Sequence, residues 1–318
     1  MQVWKFGGTS VGKPERMKSI RNLVTEDPNR KIVVLSALSG TTNSLLEIGE
    51  NIKSQNIAKA QELISTLKGH YQTFISELYS TSEGLKKGQE IIDREFEFIN
   101  SLTGIIPFTL KQDKELVAQG EILSTQMFAA YLIEIGDSVA LIPALDFMRI
   151  DADSEPELSK IEKMLGESLK GLEDIKIIVT QGFICRNPRG EVDNLKRGGS
   201  DYTASLIGGA VVADEIQIWT DIDGMHNNDP RIVKRTFPVR ELSFEEAAEL
   251  AYFGAKILHP STITPAKMKA VPVRLKNTIE PSAPGTLITA NNTVDAEIKA
   301  IAAKDNITAI YVHSTRML

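Results

Sequence analysis

The chain of 318 residues holds a single cysteine, Cys185. No intrachain disulfide framework can form, and a reducing, cytoplasmic setting is the default for such a chain. Histidine is scarce as well. His70, His226, His259 and His313 lie far apart, without the spacing of zinc ligands. No G-x-S-x-G elbow marks a catalytic serine. No apolar run approaches the ~20 residues needed to span a bilayer. The first residues, Met1-Gln2-Val3-Trp4-Lys5, read as a strand and lack the basic region and apolar core of a secretory signal. A positive surplus is missing too: 36 Lys+Arg against 42 Asp+Glu leave a formal charge of −6. That balance argues against a dedicated nucleic-acid binder. What is present is ordinary for a globular chain, with 42% hydrophobic and 25% charged residues. The length supports a large core in roughly two lobes.

Short apolar runs alternate with helical patterns. The runs Val3–Phe6, Lys31–Leu35, Ser138–Ile142, Ile175–Thr180, Glu215–Thr220 and Val271–Leu275 read as strands, several apolar enough to be covered on both faces. This alternation predicts an α/β protein with a mostly parallel sheet and right-handed crossovers. The stretch from about Thr42 to Ile135 reads as almost purely helical, an insertion after the second strand forming a cap or rim. The acidic run Asp151–Glu157, with Pro156, reads as a loop, and a lobe boundary falls near Gly182. Ile298–Ala303 and Ile307–Val312 look like the opening strands of a further unit that continues past Leu318.

Five segments could carry chemistry. In Lys5-Phe6-Gly7-Gly8-Thr9-Ser10-Val11-Gly12-Lys13-Pro14 a strand meets a glycine pair and then a helix, an arrangement that lets backbone N–H groups approach an anion. Pro14 stands where a P-loop needs Ser or Thr, so that motif is rejected. Lys5, on the same strand face as Val3, either meets an anion or reaches solvent at the strand end. Lys196-Arg197-Gly198-Gly199-Ser200-Asp201 opens a second helix with a second glycine pair. Arg197 there offers a fork to a carboxylate or phosphate, while Asp201 could serve only the helix dipole. On the expected helix Asp113–Ile135, Glu121 falls in the stripe Val117, Ser124, Phe128, Leu132 and Ile135. It either faces inward and needs a cation or bends from the helix edge to water. Trp219-Thr220-Asp221-Ile222-Asp223-Gly224, followed by Asp229-Pro230-Arg231, is a strand end of the kind where open α/β sheets bind ligands. An EF-hand fails on spacing, and a plain acidic turn is the alternative. After a helix Ser243–Phe253 ending at Gly254, Lys256 projects from a loop as a phosphate ligand or a solvated lysine. Cys185 follows an apolar strand and reads as structural.

Taken together, KFGGTS (Lys5–Ser10), QGEILST (Gln119–Thr125), RGGSDYT (Arg197–Thr203), WTDIDG with DPR (Trp219–Gly224, Asp229–Arg231) and FGAKILHP (Phe253–Pro260) resemble aspartokinase, in order and at family-like spacing, from residue 1 to about 290. The helical insertion and the ending Val312-His313-Ser314…Met317-Leu318 resemble the lysine- or threonine-controlled enzymes, including bifunctional aspartokinase–homoserine dehydrogenases. The resemblance implies the amino-acid-kinase fold, a three-layer αβα sandwich without a P-loop. It implies transfer of the ATP γ-phosphoryl group, with Mg²⁺, to the side-chain carboxylate of L-aspartate, the first step towards lysine, threonine and methionine. It divides the chain into an aspartate-binding lobe (1–181), an ATP-binding lobe (182–297) and the start of an ACT regulatory domain (298–318). It gives Lys5 the transferring phosphoryl and Asp201 the orientation of Lys5. Gly7, Gly8 and Ser10 present the first loop to the phosphates. Glu121 pairs with the aspartate ammonium and Arg197 with its α-carboxylate, while Thr42, Phe183 and Ser200 line the pocket. Thr220, Asp221, Arg231 and Lys256 hold the nucleotide, and no protein residue is assigned to a metal. A homodimer is implied for the full-length protein. The run Gly224-Met225-His226-Asn227 departs from the family, which carries Tyr near position 226; His226 could pack on the base in its place. A kinase of another acidic acceptor, such as glutamate or acetylglutamate, and a non-catalytic nucleotide- or amino-acid-binding module are the alternatives.

Overall fold

The structure is a computed structural model that describes residues 1–195, 198–229, 232–253, 260–290, 298–303, 308 and 311. Among these residues the strands are β1 (Gln2–Phe6), β2 (Lys31–Leu35), β3 (Val139–Leu141), β4 (Ile177–Gln181), β5 (Ile184–Arg186), β6 (Val192–Asn194), β7 (Ile216–Thr220), β8 (Glu241–Ser243), β9 (Val273–Asn277) and β10 (Thr286–Thr289). The helices are α1 (Gly8–Val11), α2 (Pro14–Glu26), α3 (Thr41–Lys53), α4 (Ile57–Leu78), α5 (Ser82–Leu102), α6 (Leu110–Glu134), α7 (Ala144–Phe147), α8 (Leu158–Ser168), α9 (Gly199–Ala210), α10 (Phe244–Phe253) and α11 (Thr264–Met268).

Eight of the strands form one sheet in the order β3-β4-β2-β1-β7-β9-β10-β8, and β5 and β6 form a separate antiparallel hairpin. All pairings in the large sheet are parallel except β9 with β10. The central strands are apolar because both faces are covered, while alternate residues still go to different layers. Val3, Ile32, Val34, Ile178, Ile216 and Ile218 pack into one core with residues of α8 and α9. Trp4, Phe6, Val33, Leu35, Val179 and Trp219 pack into the other with residues of α2 to α6. The helical insertion, expected from about Thr42 to Ile135, runs from Thr41 to Glu134. It shares the second core with the sheet and so forms a layer of the domain, not a detached cap. Helix α6 gives Ala118 to the first core and Leu116, Leu123, Met127 and Phe128 to the second, which explains why it is buried on most sides.

Register then places the site. Phe6 lies beside Leu35 on one side and Trp219 on the other, and Leu35 lies beside Gln181. Four parallel strands therefore end in line, and the loops after β1, β2, β4 and β7 all leave from one edge of the sheet. The expected strands agree to within one or two residues at each end. The hairpin β5–β6 and the short strands β8 and β10 were not anticipated. Ile298–Ala303, expected as a strand, is irregular; Ile301 N–H donates to Asn227 O at 2.8 Å, and no ladder forms. A strand is stable only with a neighbour to pair with, and these residues have none among those described.

Pro14 starts α2 at a position where its missing N–H costs nothing. Its C-terminal end is held from below by Lys31, which is fully buried. The Lys31 ammonium donates to Val24 O at 2.9 Å and Asp27 O at 2.6 Å, pairs with the Asp27 carboxylate at 3.2 Å, and sits 5.1 Å from the centre of the Trp4 ring. Burial lowers its pKa, and the Asp27 carboxylate opposes that. Lys31→Met leaves these carbonyls without a donor. It should lower the unfolding free energy by roughly 2–4 kcal/mol, seen as a lower urea midpoint with an unchanged m-value.

Candidate active site

At the end of β1 the backbone passes from Lys5 into Gly7, and α1 begins at Gly8. A Cβ at Gly8 would stand 2.9 Å from the carbonyl oxygen of Ala37, so only glycine lets this loop lie against the loop after β2. Lys5 is 9% exposed and turns to the face that carries α9. There its ammonium meets the Asp201 carboxylate at 2.7 Å. The structure thereby decides the two readings of Lys5: the strand lysine meets an anion. Asp201 lies in the first turn of α9, whose N-cap, Gly198, adopts a left-handed backbone with φ of 72°.

A cavity of about 460 Å³ opens beside this pair. Its walls come from Gly8 and Thr9 after β1, Ser36 to Gly40 with Thr42 and Asn43 after β2, Glu121 on α6, Phe183 after β4, and Gly199 and Ser200 on α9. The Ser36 hydroxyl donates to Ser200 Oγ at 2.9 Å and ties the two opposite walls together.

Glu121 is 4% exposed, so it does not bend to water. The Ala37 backbone N–H supports its carboxylate, but Oε2 has no hydrogen-bond partner among the described residues. Burial pushes its pKa up to about 7. Hydroxyls one turn further along α6 fix its place. Ser124 donates to Ser36 O at 2.8 Å, and Thr125 donates to Glu121 O at 2.8 Å. Gln181, at the end of β4, donates to Thr125 Oγ1 at 2.7 Å and accepts from Ala144 N–H. Nothing in the sequence reading gave Ser124, Thr125 or Gln181 this role; a Ser-Thr pair three and four residues after a buried Glu was the available signal.

Phe183 lines the cavity with its backbone in the left-handed region, φ 68°. For a bulky residue this costs on the order of 1–3 kcal/mol. Two bonds hold it there: its N–H donates to Thr203 Oγ1 at 2.9 Å, and Leu195 N–H donates to its carbonyl at 2.7 Å. Its ring packs against Gly199, where a Cβ would collide with it.

The structure thus brings Lys5, Gly7, Gly8, Thr42, Glu121, Phe183, Ser200 and Asp201 to one region. Ser10 turns away from the cavity. It is 2% exposed, and its hydroxyl lies 3.4 Å from Thr278 Oγ1, in the wall of a smaller hollow beside α2. Thr278 also donates to Thr220 O at 2.8 Å. Thr220 ends β7, the strand next to β1, and Asp221 follows it, exposed. Arg197, Arg231 and Lys256 lie outside the described residues. The Cys185 thiol is buried in β5 and pushed up to about 12 by that burial, which fits a structural role.

The profile of the amino acid kinase family matches residues 1–277. The chain is 33% identical to lysine-sensitive aspartokinase 3 of Escherichia coli, over 99% of this chain and 70% of that one. The chain belongs to the amino acid kinase family, among its aspartokinases. It is also 38% identical to the chloroplastic aspartokinase 1 of Arabidopsis thaliana, over 99% of its own length and 57% of the relative's. The chain therefore spans a little over half of that plant protein. The crystal structure of E. coli aspartokinase III in complex with aspartate and ADP superposes with a TM-score of 0.86 at 32% identity, covering 95% of this chain and 67% of that one. The match confirms the α/β fold with a mostly parallel sheet.

The buried Glu121 carboxylate, with one oxygen free, would make the binding of a ligand ammonium depend on pH in a definite direction. A ligand ammonium needs Glu121 ionised. The KM for an amino-acid substrate should therefore fall several-fold as the pH rises from 6 to 8, with a midpoint near 7 in the unliganded protein. Glu121→Gln should flatten this profile and raise KM at every pH. The raised pKa also means that folded protein binds more protons than unfolded protein between about 4.5 and 7. Glu121 thus contributes a loss of stability as pH rises through that window. At pH 8 Glu121→Gln should be more stable than wild type by on the order of 1–3 kcal/mol, measured by urea unfolding.

Proposed function

We propose that this chain is the catalytic unit of an ATP-dependent aspartate kinase that converts L-aspartate to 4-phospho-L-aspartate. One observation carries the reading: Glu121, a buried carboxylate with a free oxygen, lines a cavity at the common edge of four parallel strands, and the Lys5–Asp201 ion pair stands behind the wall residues Gly8 and Ser200. Glu121 suits a free α-ammonium, which an acetylated amine would not supply. That favours a free amino acid over acetylglutamate. Ser200, Thr42 and Phe183 shape the rest of the pocket, with Arg197 as the partner of the α-carboxylate.

The acceptor carboxylate of aspartate is ionised at neutral pH, so the reaction needs no general base. One of its oxygens attacks the γ-phosphorus, the bond from that phosphorus to the β,γ-bridging oxygen breaks, and ADP leaves with the electron pair. The difficulty is mutual repulsion of two anions, and catalysis consists of alignment and neutralisation. Lys5 sits where the loop of Gly7 and Gly8 begins, so its ammonium would meet the transferring phosphoryl. Asp201 holds that ammonium in place from the first turn of α9. Thr220 and Asp221, with Arg231 and Lys256, would hold the nucleotide at the neighbouring strand ends. The described residues gather no group of three or more side chains suited to a metal ion. In this reading Mg²⁺ arrives with ATP and would neutralise its phosphates.

The lobe assignment of residues 1–181 to aspartate and 182–297 to ATP is part of the same proposal, as is residue 298 onwards as the start of an ACT domain. A homodimer and a cytoplasmic setting belong to the same proposal, supported by the resemblance and by the single buried cysteine. No helix among the described residues is long and apolar enough to cross a membrane.

The test is a coupled assay of ADP release with aspartate, glutamate and acetylglutamate. Aspartate alone should support turnover; ADP release that depends on one of the others, or on none, contradicts the reading. Lys5→Met should lower kcat by about 10²–10³-fold. Pairing it with Asp201→Asn avoids stranding the carboxylate and keeps a wild-type unfolding curve. A near-normal kcat in either variant would reject the role of Lys5.

A further inference from the structure

The turn after β7 contains a hydrogen-bonded chain that the proposed function leaves unused. His226 Nε2 lies 2.6 Å from Asp223 Oδ1, and His226 Nδ1 lies 2.8 Å from Thr236 Oγ1. A carboxylate only accepts, so Nε2 carries the proton; in the neutral ring Nδ1 accepts from the Thr236 hydroxyl. The three side chains connect one end of a long loop to the other. Backbone bonds run alongside. Asn227 N–H donates to Phe237 O at 3.0 Å, and Val239 N–H donates to Met225 O at 2.7 Å. Phe237 N–H returns to Asn227 Oδ1 at 3.0 Å, and residues 226 and 238 form an antiparallel bridge. Between these ends, residues 232 to 235 are exposed. The near end continues directly from Thr220 and Asp221.

We propose that Asp223, His226 and Thr236 form a clip that closes this loop, and that His226 is thereby a positioning residue for the nucleotide rather than a contact to its base. Both ring nitrogens are occupied within the protein, so the His226 ring has no nitrogen left for a ligand. The clip holds the Thr220–Gly224 turn and the start of the returning segment at a fixed separation. The second half of the proposal rests on the reading of Thr220 and Asp221 as nucleotide ligands; the first half does not.

Two measurements separate these halves. Limited trypsin digestion reads the clip without any ligand, because Lys234 and Arg235 are exposed in the loop. His226→Ala, Asp223→Ala and Thr236→Val should each speed cleavage at these two residues, identified by fragment mass. Steady-state kinetics then read the positioning. Each variant should raise the KM for ATP about 3- to 10-fold while the KM for aspartate stays unchanged. His226→Ala combined with Thr236→Val should cost little more than His226→Ala alone, because both break one unit. His226→Gln places its amide N–H where Nε2 stands and should restore part of the ATP affinity. Unchanged cleavage in all three variants overturns the clip. Faster cleavage with an unchanged ATP KM overturns the positioning role. A raised ATP KM in His226→Ala alone, with Asp223→Ala and Thr236→Val normal, shows that His226 acts on the nucleotide itself and also overturns it. Wild-type protein that does not use ATP contradicts the proposed function and with it the positioning, while the digestion result still stands.

Discussion

The ion pair between Lys5 and Asp201 joins the first strand of the chain to a helix that begins near residue 200, and the arrangement of the site follows from it. A lysine inside a buried strand must have an anionic partner, since an unpaired ammonium in such surroundings is costly. Satisfying Lys5 brings α9 across the end of β1. That in turn sets Ser200 against Ser36, packs Gly199 under Phe183 and closes one wall of the cavity. The ammonium ends at the glycine loop, beside the place where two anions would meet.

The parallel sheet supplies the rest of the constraint. In a sheet of this kind the loops at the carboxyl ends of the strands share one edge, whatever their distance in sequence. Here β4, β2, β1 and β7 end side by side, so Phe183, Ser36, Gly8 and Thr220 are neighbours. Helix α6 adds Glu121 from the side, locked by Ser124, Thr125 and Gln181. The buried carboxylate is costly in the empty protein, which its raised pKa expresses, and a ligand ammonium would relieve that cost.

Much of this was legible in the residues. The central strands stood out because burial on both faces demands uninterrupted apolar runs, and the insertion stood out by its helical period. Glu121 could be placed on the buried stripe by its spacing from Val117, although only the structure showed that it does not bend to water. Other features carry no local signature. Strands β8 and β10 are three and four residues long and half polar, and they exist because neighbours pair with them. The left-handed backbone of Phe183 is the opposite of what its side chain prefers, and tertiary bonds to Thr203 and Leu195 impose it. Ser10 was grouped with its glycine loop, yet the first turn of α1 rotates its hydroxyl towards Thr278. The partners of His226 include Thr236, ten residues away across a loop, so no reading of adjacent residues could pair them.

The central claim is that one edge of the sheet holds the acceptor carboxylate and the phosphoryl donor in contact under the Lys5 ammonium. The most direct test is a crystal structure with aspartate and a non-hydrolysable ATP analogue. The account predicts a side-chain carboxylate oxygen of aspartate roughly 3–3.5 Å from the γ-phosphorus and in line with the bridging atom, with Lys5 Nζ in hydrogen-bond contact with the γ-phosphate and the α-ammonium on Glu121. Aspartate bound with its ammonium away from Glu121, or a γ-phosphate out of reach of Lys5, would contradict it.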